Sequence, residues 1–166
     1  MYWIPQLGES RLAIIPRPSG GDWLEDEMRR LRAQGVDILV SALTPEEVKE
    51  LDLSRGPDYC RENGINFRAF SIPDRDIPSS YGAVTALANE LGGELLRGRA
   101  VVIHCRAGIG RSSLLAACAL VVMGLSADSA FELIREARGC NVPDTPLQRA
   151  WVEEFARWNA GLVPHT

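Results

Sequence analysis

Residues 100–112 read AVVIHCRAGIGRS, and the fold turns on how this stretch is read. Ala100 to His104 is a short, continuous apolar run, the pattern of a strand buried on both faces. Gly108 and Gly110 permit a tight loop, and Arg111 opens a helix expected over about 111–123. Strand, glycine loop and helix in this order wrap successive backbone N–H groups round a concavity, with the positive end of the helix directed into it. Cys105 lies at the centre of that concavity, and Arg111 adds a planar fork of donors suited to two oxygens of a phosphate. A field that binds an anion also stabilises a thiolate. His104 is placed to hold backbone groups of the loop, and Ser112 to hydrogen-bond to the sulfur. The plain alternative is a glycine turn beside a small buried cysteine. Nucleophile, cradle and clamp together, each at workable spacing, favour chemistry.

Outward from this stretch the chain alternates strands with helices. Residues 2–4 and 12–15 suit a hairpin, VDILVSA at 36–42 a buried strand, and INFRAFSI at 65–72 an alternating one. Asp22 is a candidate cap for a helix over about 23–34, with Trp23, Leu24, Met28 and Leu31 on one side. Thr44, Pro45 and Glu47 form a helix start in which Glu47 reaches back to the cap. Further helices are expected near 56–63, from Ser79 or Ser80 to about Arg97, and over 127–138 and 146–160. The pattern predicts an α/β fold with a central, mostly parallel sheet flanked by helices. In such sheets ligands bind beyond the carboxyl ends of the strands. The cysteine loop sits at one such end and PDRDIP, residues 73–78, at another, so the two can face each other.

The 166 residues suit a single domain with its own core. Net charge is −4 with a pI near 5.3, which makes nucleic acid an unexpected partner. The start of the chain lacks the features of a signal peptide. The longest apolar run, Leu114–Leu125, is too short to span a bilayer, so no membrane partner is expected. The four cysteines are widely spaced with no CxxC pair, which points to neither zinc nor a disulfide framework. The chain reads as cytoplasmic with reduced thiols.

HCRAGIGRS, residues 104–112, resembles the His-Cys-x5-Arg-Ser/Thr signature of the cysteine-dependent protein tyrosine phosphatases. The compact core and the order of its elements over 65–160 resemble the dual-specificity type. The resemblance implies the phosphotyrosine protein phosphatase-like fold and a loop, Arg106, Ala107, Gly108, Ile109, Gly110 and Arg111, that binds the substrate phosphate. It implies Cys105 as nucleophile, Arg111 on the phosphoryl group, a cysteinyl-phosphate intermediate, and no metal or other cofactor. Inorganic phosphate or sulfate is the expected occupant of the empty site.

A leaving alkoxide or phenoxide needs a proton, and a carboxyl group on a neighbouring loop can supply it. Asp74 and Asp76 lie 31 and 29 residues before Cys105. The family places its acid about thirty residues upstream on a proline-ended loop, and Ile-Pro-Asp-x-x-x-Pro points to Asp74. A turn-forming aspartate beside proline explains either residue equally simply. Gln148, in a Thr-Pro-x-Gln helix start, is readable as a capping residue; in the family a glutamine so placed orients the hydrolytic water. Arg75 is read as solvated or in contact with substrate. Cys60, Cys118 and Cys140 are read as structural, with a role in protecting Cys105 as the alternative.

No segment resembles the phosphotyrosine-recognition loop of the larger tyrosine-specific enzymes, so phosphoserine and phosphothreonine remain candidates beside phosphotyrosine. The loop has no lysine, which disfavours a phosphoinositide, while Arg106 leaves room for a multiply charged ligand. The resulting expectation is a protein phosphatase acting on phosphorylated protein. The rivals are a phosphatase of an inositol phosphate or nucleotide and a phospho-binding module without turnover.

Overall fold

The computed structural model describes residues 1–162. Five strands, β1 (Tyr2–Trp3), β2 (Arg11–Ile15), β3 (Ile38–Ser41), β4 (Asn66–Ala69) and β5 (Ala100–His104), form one sheet in the order β1-β2-β5-β3-β4. β1 pairs with β2 antiparallel, as the expected hairpin, and every other pairing is parallel. β5 lies in the middle, with Val101 opposite Leu12 on one side and Ile38 on the other.

Seven helices cover the sheet: α1 (Leu24–Ala33), α2 (Pro45–Glu50), α3 (Gly56–Glu62), α4 (Tyr81–Leu96), α5 (Arg111–Val122), α6 (Ala127–Arg138) and α7 (Pro146–Asn159). The strand period of two assigns the faces. Val101 and Ile103 pack with Leu91 of α4, Leu114 of α5, Phe131 of α6 and Phe155 of α7. Val102, between them, packs with Leu24 and Met28 of α1 and Cys60 of α3. These three β5 residues are fully buried, each contributing about 1.5–3 kcal/mol relative to exposure. Helix α5 is buried from Arg111 to Val121, which explains its apolar sequence. No helix among the described residues is long and apolar enough to cross a membrane.

Local starts follow the sequence in most places. Thr44 Oγ1 accepts from Glu47 N–H at 3.3 Å, and Glu47 Oε2 accepts from Thr44 N–H at 3.0 Å, closing the capping box of α2. Ser80, not Ser79, caps α4 by accepting from Ala83 N–H. The start of α1 differs from the expectation. A 3-10 turn over Gly21–Trp23 leads into it, Asp22 makes no capping bond there, and Trp23 is 66% exposed while Leu24, Met28 and Leu31 are buried. The tighter turn rotates Trp23 off the face that the helical period predicts. β4 is shorter than the apolar pattern, but its pairing continues irregularly through Phe70 N–H to Ser41 O and Ile72 N–H to Ala42 O. This carries the chain along the carboxyl edge into 73–78, beside the end of β5.

Candidate active site

His104 ends β5, and the loop from Cys105 to Gly110 turns into α5 at Arg111. The loop's shape is imposed from outside. Its carbonyls point outward and are held there: Arg106 O accepts from Arg17 N–H at 3.2 Å and Gly108 O from Arg138 Nε at 2.9 Å. Arg138 Nη2 approaches Ala107 O at 3.4 Å, and its guanidinium stacks over the Tyr2 ring at 4.3 Å. Carbonyls turned out leave N–H groups turned in, the arrangement of an anion nest. Gly108 has φ +68°, and a Cβ there would lie 2.6 Å from the Ile15 carbonyl carbon and the Pro16 nitrogen. Only glycine fits.

Cys105 is buried at the centre, its Sγ accepting from Gly108 N–H at 3.3 Å. Ser112 Oγ lies 3.4 Å from the sulfur, where its O–H can donate to a thiolate. His104 is buried and hydrogen-bonded to the Cys105 backbone. Burial, aided by the charge of Arg111, pushes the imidazole down to about 4. It is neutral at pH 7 and forms no imidazolium partner for the sulfur. The positive character of the site comes from N–H groups, the N-terminus of α5 and Arg111.

Arg111 is almost fully buried, and four contacts set its fork. Nη1 donates to Glu47 Oε2 at 2.6 Å and to Ile72 O at 3.0 Å. Nη2 donates to Glu47 Oε1 at 2.9 Å and pairs with Asp74 Oδ1, also at 2.9 Å. Burial alone raises the Glu47 carboxyl, but the Arg111 hydrogen bond, the Thr44 N–H and the charges of Arg111 and Arg106 outweigh it and hold the group below its ordinary value. Burial likewise opposes the Arg111 charge, and Glu47 more than offsets it. Glu47 therefore caps α2 and orients the arginine of the cradle with the same carboxylate. Its capping role alone was readable in the sequence.

Asp74 and Asp76 go to different places. Asp74 lines a pocket of about 60 Å³ with Cys105, Ala107, Ile109, Gly110 and Arg111. Asp76 accepts from the N–H of Ile77 at 2.8 Å and is absent from that lining. Arg106 and Gly108 are also absent from it: the Arg106 guanidinium rests on Glu50 at 2.8 Å, and Gly108 serves the sulfur. Gln148 is buried against the pocket. Its backbone N–H is capped by Thr145 Oγ1, but its side chain turns away from the cap, and Nε2 donates to Asp76 O at 3.0 Å. Gln148 Oε1 has no partner and would be 2.8 Å from a Cβ on Gly110. Asp144 completes the wall, paired to Arg75 at 3.0 Å.

One family model matches residues 15–125, a span that holds Glu47, Asp74, Cys105 and Arg111; it is described as "Polymorphic toxin system, DSP-PTPase phosphatase". The chain belongs to the DSP-PTPase phosphatases. It is 32% identical over 151 residues to protein tyrosine phosphatase PRL-1 of Leishmania major, covering 89% of this chain and 83% of that one. It is 28% identical over 134 residues to cyclin-dependent kinase inhibitor 3 of Rattus norvegicus, covering 80% of this chain and 63% of the relative's length. Its fold matches a crystal structure of kinase-associated phosphatase carrying serine for the catalytic-site cysteine, with TM-score 0.84, 21% identity, and 99% and 96% of the two chains covered.

In this DSP-PTPase chain the residues 138–148 lie beyond the matched span, yet Arg138, Asp144 and Gln148 all reach the cradle or the 73–78 loop. The four cysteines are free. Burial raises the Cys60 thiol to about 12 and the Cys118 thiol well above its ordinary value, in keeping with inert core positions.

Proposed function

We propose that the chain is a protein phosphatase that hydrolyses phosphate monoesters on protein side chains, with Cys105 as nucleophile and Asp74 as acid and base. The observation that carries this is the convergence of Cys105, Arg111 and Asp74 on one pocket at the carboxyl end of β5. In the first step the thiolate attacks phosphorus, forming the S–P bond as the P–O bond to the leaving group breaks. The loop N–H groups and Arg111 hold the three outer oxygens as charge develops on them. Asp74 gives its proton to the leaving oxygen. In the second step Asp74 takes a proton from water, whose oxygen bonds to phosphorus while the S–P bond breaks. The thiolate departs onto the Ser112 O–H, and Gln148 Oε1 is free to accept from that water. No metal enters either step.

The pocket is small, about 60 Å³, with Asp74 resting on Arg111 at its wall. Phosphoserine and phosphothreonine stand alongside phosphotyrosine as substrates in this reading. The names of the relatives, a protein tyrosine phosphatase and a kinase-associated phosphatase, support phosphoprotein as the substrate class. A cytoplasmic setting, which keeps thiols reduced, suits a nucleophile of this kind. The second reading is a small, multiply charged phosphate ester, favoured by the part-exposed guanidinium of Arg106 on the loop.

Purified protein is expected to hydrolyse p-nitrophenyl phosphate in EDTA and to lose nearly all turnover as Cys105→Ser. Undiminished turnover in that variant overturns the mechanism. Asp74→Ala should slow kcat/KM far more than Asp76→Ala; the reverse moves the acid to Asp76. A panel of phosphopeptides, inositol phosphates and nucleotides separates the two substrate readings.

A further inference from the structure

The acid loop is held from two sides. On the inside, Asp74 Oδ1 rests on Arg111 Nη2 at 2.9 Å. On the outside there are two ties, one from the first turn of α7 and one from the chain that joins α6 to α7: Gln148 Nε2 to Asp76 O at 3.0 Å, and Arg75 Nη1 to Asp144 Oδ2 at 3.0 Å. Arg75 has φ +60°, a left-handed conformation that few non-glycine residues adopt and that needs support from its surroundings. Asp144 is well placed to give it. It directly precedes Thr145, whose hydroxyl caps α7, and its Cβ would lie only 2.9 Å from a Cβ on Gly110. The aspartate is thus braced between a helix start and the phosphate loop.

Substrate changes the balance of these ties. Phosphoryl oxygens in the cradle take the Arg111 donors on which Asp74 rests. The inner tie is given up in the same step that needs Asp74 held over the leaving oxygen, and the outer ties remain. We infer that Asp144, through its ion pair with Arg75, is a positioning residue that keeps the acid loop closed over Cys105 once substrate has displaced Asp74 from Arg111. This rests on the reading of Asp74 as the acid. Asp144 lines the same pocket, and its side-chain hydrogen bond is to Arg75, through which it acts on the loop. Both side chains are part-exposed, at 64% and 37%, so the pair is screened by salt and its effect is moderate.

The test uses leaving-group dependence. Phenyl phosphate needs a proton on its leaving oxygen, whereas 2,4-dinitrophenyl phosphate does not. Asp144→Ala is expected to lower kcat/KM on phenyl phosphate about three- to fivefold more than on 2,4-dinitrophenyl phosphate. The melting temperature should be unchanged, and 1 M salt should narrow the gap between variant and wild type. The reversed pair, Arg75→Asp with Asp144→Arg, should recover at least half of the loss. Equal losses on both esters, no loss on either, or no recovery in the reversed pair overturns the inference. Asp74→Ala, run alongside, separates the two claims. If it shows strong leaving-group dependence and Asp144→Ala shows none, only the role of Asp144 fails. If Asp74→Ala shows none, the acid assignment fails and takes the inference with it.

Discussion

Glu47→Ala removes the partner of a buried guanidinium. In the native protein Glu47 accepts from both Nη atoms of Arg111 at 2.6 and 2.9 Å, with the Arg111 side chain 2% exposed and that of Glu47 12% exposed. Removing one member of a buried pair leaves the other charge without compensation, a loss of about 3–5 kcal/mol. The low end applies here, about 3 kcal/mol, because Arg111 keeps Ile72 O and Asp74. Glu47→Ala also loses the Oε2 acceptor of the Thr44 N–H, one half of the α2 capping box, which adds about 1 kcal/mol. Thr44→Val removes the other half, the Oγ1 acceptor of the Glu47 N–H, and leaves the Arg111 pair, so it gives the comparable size of a capping bond alone. Urea unfolding at pH 7 should then place Glu47→Ala about 4 kcal/mol below wild type and Thr44→Val about 1 kcal/mol below. Glu47→Gln, which keeps an acceptor oxygen, should fall between them. Activity should follow orientation: kcat/KM on p-nitrophenyl phosphate drops about tenfold or more in Glu47→Ala and little in Thr44→Val. The pair also has a pH signature. The folded Glu47 carboxyl is held below its ordinary value of 4.5, so its stabilisation is complete above that pH and is lost as pH falls through the lower folded value. Glu47→Gln should lack this part of the acid slope. If Glu47→Ala unfolds within 1 kcal/mol of wild type and keeps its kcat/KM, the clamp argument is refuted.

Gly110→Ala should damage catalysis more than stability. Its φ of −85° is not left-handed, but the new methyl group would lie 2.8 Å from Gln148 Oε1 and 2.9 Å from Asp144 Cβ, forcing both away from the pocket. Overpacking of this kind costs about 1–3 kcal/mol, read by urea unfolding, and kcat should fall with it. Wild-type kcat in Gly110→Ala would refute the close packing. His104 predicts a second acid slope. Its folded value of about 4 lies below the ordinary 6.5, so the unfolded chain binds the proton first. The stabilisation is complete above pH 6.5 and is lost as pH falls from 6.5 to 4, by about 3 kcal/mol. His104→Asn should flatten the stability profile in that window; an unchanged slope assigns it to other groups.

How much of the site could be read in advance depended on the range of the interaction. Cys105, Arg111 and Ser112 lie within one loop and helix start, so their relation is local and their spacing nearly determines it. Asp74 was favoured over Asp76 by likeness to a family pattern. The structure shows them facing different ways, with Asp74 in the pocket and Asp76 bonded to its neighbour's N–H. The capping box at Thr44 and Glu47 was equally local and is present. Trp23 was misplaced because a 3-10 turn, not a helix, begins that segment. Glu47 was seen as a cap but not as the partner of Arg111, since 64 residues separate the two and no periodicity joins them. Asp144 carried no signal at all.

The amino-acid sequence by itself determined the strand–loop–helix cradle, the parallel α/β order and the presence of a candidate nucleophile, clamp and acid. These follow from apolar periodicity, glycine freedom and donor chemistry, which act over a few residues. The tertiary structure decided which side chains hold that cradle and tie down the loop beside it: Glu47 on Arg111, Arg138 on the loop carbonyls, and Gln148 and Asp144 on the 73–78 loop. Those contacts form only when β3, β4 and β5 bring their carboxyl ends together and the α6–α7 connection folds over them. Side-chain pairing across such distances is set by packing, and packing is a property of the whole fold.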